Sequence, residues 1–554
     1  CIKTSGSLKY ILTFIIGGYM RNIFILIFMF LIVVFSFSEE DYNALFTETT
    51  TDTTENNKNT KSSEADFKLS LWGEHAGEFR MPVIPDYFDF TGYIKAPKFL
   101  NSFGVEIEYK DLKFVSSGTF DIILNDFGDW DKVLSILPLE NYISWSPWKI
   151  KLGLGLQEFA WGTADGLNPT DNINPRDYTV GVKASKIPIL SASFSMYPVD
   201  FFSFDIIYAP FEQNDIFPKD IVEEIPEDIF YDVTLDITGT PPNIKINRLY
   251  IQNPKNANLE KLSFDPKNFI IGGKINFRFS KVDFSFSYLY DFDQYYTPEI
   301  SLVKRQVGNT PMPPFIPAMY IYRPSEIKLI RDRVHRIGAD IKGSVDRFTM
   351  WGEFCYTLTT DYLMDDYKKR NHKIEFITGF DFRYGPNDDF YFNLQYFGEV
   401  NLNYDDKFYK DYPNGEPDIN KTADEEYMEE FFYRAMVNKF AEINEGFLQG
   451  ISLNMKWPVL NELLTPSITI SYILPLIYDY DQEKRYGSLY LKPELDIMPI
   501  DSFHILIGGE LYFSWAQKKD EEVKLVTDDR IGTYHKDSSV YVALSYKWGI
   551  DFYK

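Results

Sequence analysis

The chain has 554 residues, and its aromatic content of 17%, with 48 Phe and 39 Tyr, is well above ordinary globular usage. Its formal net charge of −25 argues against nucleic acid as a partner, because phosphate contacts need clustered Lys and Arg. The two cysteines cannot form a disulfide framework, and the lack of a 20-residue apolar stretch after position 40 argues against a helical membrane protein for the main body.

The N-terminal region predicts export from the cytoplasm. A basic start is followed by the apolar run 23–35 and by small residues at positions −3 and −1 of a cut after Ser38. Residues 20–38 are therefore predicted to be a signal peptide, and residues 1–19 an upstream extension. A membrane anchor across residues 10–37 is the alternative.

Residues 39–65 are mainly Thr, Asn, Asp, Glu and Lys. A stretch with so few apolar side chains cannot bury a core, so we predict a disordered linker. The folded part of the chain is then expected to be a single barrel domain over residues 66–554.

Alternation of apolar and polar residues dominates this part of the chain. In residues 284–290, Phe or Tyr occupies every second position and Ser two of the positions between them. The same pattern recurs in 17 segments, from 66–73 to 538–552. One face of each segment suits lipid and the other suits water, which is typical of strands that cross a membrane as a barrel. Because such barrels favour an even strand number, we predict an all-β, transmembrane antiparallel β-barrel of about 16 strands, within a range of 14 to 18.

The connections between these segments alternate in length. Short ones place an acidic residue just before an aromatic strand start, as at Asp200-Phe201 and Asp283-Phe284. Long polar ones lie between them, notably 212–267 and 402–447. Outer-membrane barrels have short turns on one side and long extracellular loops on the other. The acidic residues of 212–236 predict a solvated surface, with divalent-cation binding as the alternative.

The segment 157–178 is the densest motif in the chain, reading Gln-Glu-Phe-Ala-Trp-Gly-Thr-Ala-Asp-Gly-Leu-Asn-Pro-Thr-Asp-Asn-Ile-Asn-Pro-Arg-Asp-Tyr. It resembles a stretch found in a family of uncharacterised bacterial outer-membrane β-barrel proteins, in which Trp-Gly is followed by Asn-Pro-Thr-Asp and Pro-Arg-Asp. The resemblance implies an outer-membrane barrel of unassigned function. It covers only this segment, and the rest of the chain is similar in pattern alone.

Two Asn-Pro pairs in this motif predict a rigid loop, because they fix turns and the nearby Asp and Asn side chains can bond backbone N–H groups. Arg176, between carboxylates, is expected to pin the loop to the barrel wall or to present charge to a solute. We predict a plug or constriction, with simple turn packing and a metal or ligand site as alternatives. The residues predicted to line the lumen or its constriction here are Trp161, Asp165, Asn168, Asp171, Asn172, Arg176 and Asp177.

Further polar residues are predicted to face the lumen because they alternate with the apolar face of their segments. They are Glu106, Glu108, Lys151, Lys274, Arg278, Glu375, Asp381, Arg383 and Lys547. Both signs of charge occur among them, so charge selectivity is left open.

Two connections predict short helices. Thr422 and Glu425 have the spacing of a capping box, and an apolar stripe that ends near Gly446 follows them. This helix is expected either to enter or cap the lumen or to pack on neighbouring loops. Residues 131–139 are a second helix candidate, ended by Pro138. The last strand resembles an assembly signal of outer-membrane barrels, from which the terminal Lys554 departs.

Signals for catalysis and cofactors are weak. The five histidines show no metal-ligand spacing, and neither a nucleophile elbow nor a Gly-rich phosphate loop is present. We therefore expect no enzyme, no metal and no cofactor.

The leading hypothesis is a porin-like channel for small hydrophilic solutes in the outer membrane of a diderm bacterium. Its expected partners are outer-membrane lipid, the assembly machinery and the solutes, with the oligomeric state open. The alternatives are an adhesin or ligand-binding barrel that acts through its long acidic loops, and a transporter of hydrophobic solutes. A barrel enzyme comes last.

Overall fold

The computed structural model describes residues 67–84, 89–90, 98–123, 134–177, 185–210, 215–216, 231–236, 243–248, 257–259, 266–307, 319–385, 389–404, 417–440, 446–474, 484–518, 524–525 and 531–553. The chain divides into two units, Cys1–Glu64 and Ala65–Lys554. The predicted extension, signal peptide and linker lie outside the described residues, as do Lys554 and most of 212–267.

Twenty strands of the described residues belong to one antiparallel sheet, and two of these, Asp89–Phe90 and Lys524–Leu525, have only two residues each. The other eighteen pair in sequence order, and the sheet closes because the first strand pairs with the last, from Lys68 opposite Tyr553 to Pro82 opposite Ser539. The strands are β1 (Phe67–Ile84), β2 (Lys98–Tyr109), β3 (Leu112–Ile123), β4 (Leu134–Trp145), β5 (Ile150–Gln157), β6 (Ile189–Val199), β7 (Phe202–Ala209), β8 (Ile270–Arg278), β9 (Val282–Phe292), β10 (Arg333–Val345), β11 (Phe348–Thr359), β12 (Lys373–Tyr384), β13 (Phe390–Asn401), β14 (Phe447–Lys456), β15 (Leu464–Ile473), β16 (Lys484–Ile500), β17 (Phe503–Lys518) and β18 (Ser539–Tyr553).

A closed antiparallel barrel is thus confirmed, and eighteen strands lie within the predicted range. Each of the 17 predicted segments overlaps a strand, and the strand that the sequence pattern missed is β4. The helix predicted at 131–139 is wrong over its described part, which belongs to β4. Pro138 does not end a helix; it pairs with Gly118 where the β3–β4 register shifts. Proline is tolerated at such an irregularity, and the shift interrupts the alternation that identifies a strand.

The connections segregate by length between the two ends of the barrel. At the end that holds Phe67 and Tyr553, they range from two residues (110–111) to seven (457–463). At the opposite end, they range from ten residues (124–133) to sixty (210–269). We refer to the first as the short-turn end.

Alternate residues of each strand lie on opposite faces of the wall. On β9, which lies between β8 and β10 in the sheet, the side chains of Phe286 and Tyr288 are exposed, whereas that of Ser285 is buried. Ser285 pairs in register with Asp340, and Asp340 pairs with Glu353, both also buried. In a closed barrel one face points to the axis, so the buried polar face is the inner one and the exposed aromatic face the outer one.

Long connections form a separate apolar core outside the sheet. Helix α1 (Glu425–Phe440) packs on a hairpin formed by Thr297–Val307 and Met319–Ile330. Its core consists of Ile300, Ile327, Leu329, Met428, Phe431, Phe432, Tyr433, Met436 and Val437. Of the two expected arrangements, the helix therefore adopts packing on neighbouring loops. None of the described helices has the length and apolar character needed to cross a membrane.

Substitutions at the N-terminus of α1 test which residue caps this helix. The predicted capping residue Thr422 is not the one that caps; the Asp424 carboxylate accepts hydrogen bonds from the Glu426 N–H (3.1 Å) and the Tyr427 N–H (3.3 Å). Asp424→Ala should destabilise the helix by about 1 kcal/mol, as measured by hydrogen exchange of the α1 amides. Asp424→Asn keeps an acceptor oxygen and should behave like the wild type. Equal exchange in all three proteins would contradict this assignment of the cap.

Candidate functional site: the inner segment

The connection between β5 and β6 enters the barrel. We call residues 158–177 of this connection the inner segment; residues 185–188 are also described. Strands β5 and β6 are neighbours in the sheet, yet the inner segment bonds to Glu353 on β11 and to Gln395 on β13. Both of these side chains lie on the inner face. A chain that starts at β5 can reach them only by crossing the lumen.

The Glu353 carboxylate is the main polar anchor of the inner segment. Its Oε1 accepts hydrogen bonds from the backbone N–H groups of Thr163 and Ala164, the latter at 2.5 Å. Its Oε2 accepts from the Thr170 hydroxyl at 3.0 Å and from the Thr170 N–H at 3.4 Å. Glu353 is only 3% exposed, so these bonds compensate for the cost of burying its charge. Glu353 is not among the residues predicted to line the lumen, although its position in the alternation of 347–359 places it on the polar face.

Asp165 joins the tip of the segment to β13. Its Oδ2 accepts hydrogen bonds from the Asn393 amide (3.2 Å) and the Tyr391 hydroxyl (3.3 Å), and its carbonyl accepts one from Gln395 (2.6 Å). The chain turns sharply before this point at Gly162, whose φ is +99°. A Cβ there would lie 2.7 Å from Glu353 Oε1, so both the turn and the close approach to the anchor require glycine.

Asp171 organises the base of the segment. Its carboxylate accepts a hydrogen bond from the Trp161 N–H (3.1 Å) and forms ion pairs with Lys186 (2.7 Å) and Arg176 (3.3 Å). The predicted contact of Arg176 with a carboxylate is thus made within the segment rather than with the barrel wall. The Arg176 N–H donates to Asp215 at 2.6 Å, and burial raises the pKa of Asp215.

The remaining residues selected from the motif shape its turns. The Asn168 carbonyl accepts a hydrogen bond from the Asp171 N–H at 3.1 Å. Asn172 donates to the Pro169 carbonyl and lies 3.8 Å from the Cys355 sulfur on β11. Asp177 pairs with Ser185 in a two-residue strand.

Asn174, which is not among the residues predicted to line the lumen, joins the two ends of the segment. It accepts a hydrogen bond from the Phe159 N–H at 2.7 Å and donates to the carbonyls of Gln157 and Ile187, both at 3.0 Å. Its place in the second Asn-Pro pair was the only signal for it.

Trp161 fixes the segment to the wall by apolar packing. It is 6% exposed, and it clusters with Ile173 and with inner residues of four strands, namely Ile189, Ile207, Ala209, Ile270 and Leu289. Gly272 makes room for the indole, because a Cβ there would lie 3.1 Å from the ring. The inner face is therefore apolar beneath the segment, where no solute would touch it.

The tip of the segment remains accessible. Leu167 is 41% exposed, and a Cβ on Gly166 would meet no atom within 4 Å. The segment consequently spans the lumen and narrows it, and 165–167 is its longest run of exposed residues.

The nine other residues predicted to face the lumen lie on the inner series of their strands, but they do not form one site. Several are ion-paired: Glu106 with Lys113 (2.7 Å), Lys274 with Asp340 (3.1 Å), Glu375 with Lys373 (3.0 Å) and Lys547 with Glu74 (3.8 Å). Glu108 also contacts Lys113, at 3.5 Å. Asp381 and Arg383 both lie on β12. Lys151 and Arg278 lie on β5 and β8 and are exposed. Among the described residues, no group of His, Cys, Asp and Glu is arranged to hold a metal ion.

The fold and the inner segment define a closed 18-stranded barrel whose lumen is narrowed by one of its own connections. No protein-family model matches the chain, and no curated protein matches it. Solved structures with a related fold include Acinetobacter baumannii OccAB4 (8% identity, 89% of this chain and 100% of that chain, TM-score 0.42) and Pseudomonas aeruginosa OpdO (7%, 88% and 98%, 0.43). Pseudomonas aeruginosa OccK11 is another (9%, 88% and 98%, 0.41).

Proposed function

We propose that the protein is a porin-like channel in the outer membrane of a diderm bacterium and that it passes small hydrophilic solutes. The observation that carries this proposal is the inner segment, which crosses a polar lumen and leaves its tip exposed. The motif that resembles the uncharacterised barrel family is then the constriction of the channel. The last strand, β18, serves as the signal for the assembly machinery.

The outer face supports the membrane location. A row of apolar residues crosses four strands in register, from Ile275 through Phe286 and Ala339 to Phe354. Phe286 is 56% exposed and Phe354 43% exposed in the isolated chain. Soluble proteins rarely expose such a continuous apolar surface, whereas the wall of a barrel in a bilayer requires it.

The inner face supports hydrophilic solutes. On β14 and β15, the inner positions carry hydroxyl and amide groups, including Ser452, Asn454, Thr469 and Ser471, all half-buried. Ser452 and Ser471 lie 3.1 Å apart, and Asn454 donates to Thr469 at 3.4 Å. A hydrophobic solute would find no apolar path along this wall, which disfavours the transporter of hydrophobic solutes.

A binding or adhesion role is the second candidate. The core formed by α1 and its hairpin gives the long connections a folded platform, with Phe431 and Leu329 fully buried. Loop deletion would then abolish ligand contact and leave conductance intact.

Single-channel conductance tests the proposal. Leu167→Trp enlarges the exposed tip and should lower conductance by roughly a factor of two or more, since flux follows the narrowest diameter of the pore. Leu363→Trp is the matched control, because Leu363 is 78% exposed in the connection between β11 and β12. This control should conduct like the wild type. Absence of any conductance from the wild-type protein in lipid bilayers would overturn the channel proposal.

A further inference from the structure

Trp72 on β1 faces the lumen, and its side chain is 37% exposed. The register shows which face it occupies. A row of paired residues starts at Lys68, at the short-turn end of β1, and passes through Arg336 on β10 to Lys373, at the opposite end of β12. Arg336 is buried on the same inner face as Asp340. Because Trp72 follows Lys68 by four residues, it also lies on the inner face.

The Trp72 indole lies flat against the wall because both neighbouring strands carry glycine beside it. Gly104 on β2 and Gly549 on β18 pair with Trp72 in register. A Cβ on Gly104 would overlap the indole, so only glycine lets the ring lie across β2. One face of the ring therefore covers the wall and the other is open to the lumen. By contrast, Trp161 and Trp351, which also lie inside the barrel, are buried.

Charged groups of both signs lie around the ring of Trp72. Glu74 is two residues further along β1, and Glu106 lies on the neighbouring strand β2, both on the inner face. The Glu74 carboxylate is 3.8 Å from the Lys547 ammonium group, and the Glu106 carboxylate is 2.7 Å from that of Lys113. These four side chains are between 25% and 58% exposed. A solute on the ring is therefore offered hydrogen-bond acceptors and donors without a net charge.

Trp72 lies at about the level of the tip of the inner segment. The tip contacts Tyr391 on β13 through Asp165, and from Tyr391 a row of paired residues crosses six strand spacings to Arg80 on β1. This row rises away from the short-turn end, as the row from Lys68 does. With strands tilted by about 40° and about 4.8 Å apart, it rises by roughly 18 Å, or about seven residues along a strand. The level of the tip on β1 is therefore at about position 73.

The six-membered ring of a sugar matches this surface. The C–H groups on one side of such a ring pack on an aromatic face by apolar contact, and its hydroxyl groups can bond both carboxylates and ammonium groups. An organic cation would also stack on an indole, but each carboxylate here is balanced by a lysine. A linear polyol has the hydroxyl groups without a rigid apolar face.

We propose that Trp72 is a stacking platform for neutral sugars that pass the constriction, with Glu74 and Glu106 as acceptors for their hydroxyl groups. The inference rests on the channel function proposed above and names its solute class. The sugar ring stacks on Trp72 at one side of the lumen, at the level where the tip of the inner segment narrows it.

The test measures how maltose blocks the ion current of the full-length protein in planar bilayers. Maltose should reduce the wild-type current, and Trp72→Ala should raise the concentration for half-block by about tenfold, because the aromatic face is lost. Trp72→Phe keeps a smaller aromatic face and should raise this concentration only by about threefold. Trp145→Ala is the matched control, because it removes an indole that is 48% exposed on the outer face of β4. Mannitol should block weakly, and equally in all four proteins.

Saturation-transfer NMR of maltose with the detergent-purified protein measures binding without a current and so separates the two proposals. A conducting wild type whose maltose binding equals that of Trp72→Ala disproves the platform alone. A wild type that binds maltose tenfold better than Trp72→Ala and does not conduct disproves the channel alone. If tetraethylammonium blocks at lower concentration than maltose and loses this block in Trp72→Ala, the site takes cations and the sugar assignment is wrong.

Discussion

Glu353→Ala should free the tip of the inner segment from β11 and raise single-channel conductance by about twofold, with larger current fluctuations. The substitution removes the acceptor for the N–H groups of Thr163, Ala164 and Thr170. Leaving several buried donors unsatisfied costs roughly 3 kcal/mol or more. This exceeds what the remaining contacts of the tip with β13 can restore, so the tip should leave its bound position for part of the time, while Trp161 keeps the base in place.

Two further variants show whether the effect belongs to the anchor. Glu353→Gln keeps one acceptor oxygen and should give an intermediate conductance. Glu494→Ala removes an inner carboxylate that bonds Tyr541 and not the inner segment, so its conductance should stay within the range expected for one lost charge. If Glu353→Ala and Glu494→Ala conduct equally, Glu353 is not an anchor.

The strands could be predicted from the sequence because their signal is local. A period of two residues is visible within any ten residues, and 17 of the 18 barrel strands show it. Strand β4 lacks it because a register shift beside Pro138 interrupts the period. The helix α1 could also be predicted because its signal is local. The predicted capping residue, Thr422, is wrong, because Thr422 and Asp424 both offer an oxygen near the first turn and Asp424 is the one that caps.

The anchor of the inner segment could not be predicted in the same way. Glu353 is 190 residues from Thr163 in the chain, and only barrel closure brings the two together. The motif indicated a rigid loop through its Asn-Pro pairs and acidic residues, and these act within the segment. Which wall receives the loop depends on strand order and register, which single-sequence patterns do not contain.

Trp161→Ala should detach the base of the inner segment and leave the barrel folded. Removing a buried Trp costs about 3 to 5 kcal/mol, and the strand ladders do not depend on it. Exchange of the amides of 163–170 should therefore rise by about two to four orders of magnitude, since each 1.4 kcal/mol is tenfold. Trp457→Ala, at an exposed indole on a short turn, is the control and should leave these amides protected.

Gly272 makes this prediction more specific, because it lies directly beneath the indole. In the wild type, Gly272→Ala should destabilise the segment, since its Cβ would lie 2.9 Å from Leu289 and 3.1 Å from Trp161. In the Trp161→Ala background, the same methyl group fills part of the new cavity and should restore some protection. The two substitutions should therefore be coupled by about 1 kcal/mol or more in a double-mutant cycle. Strict additivity would mean that the indole does not pack against β8 and that the segment is held by its polar contacts alone.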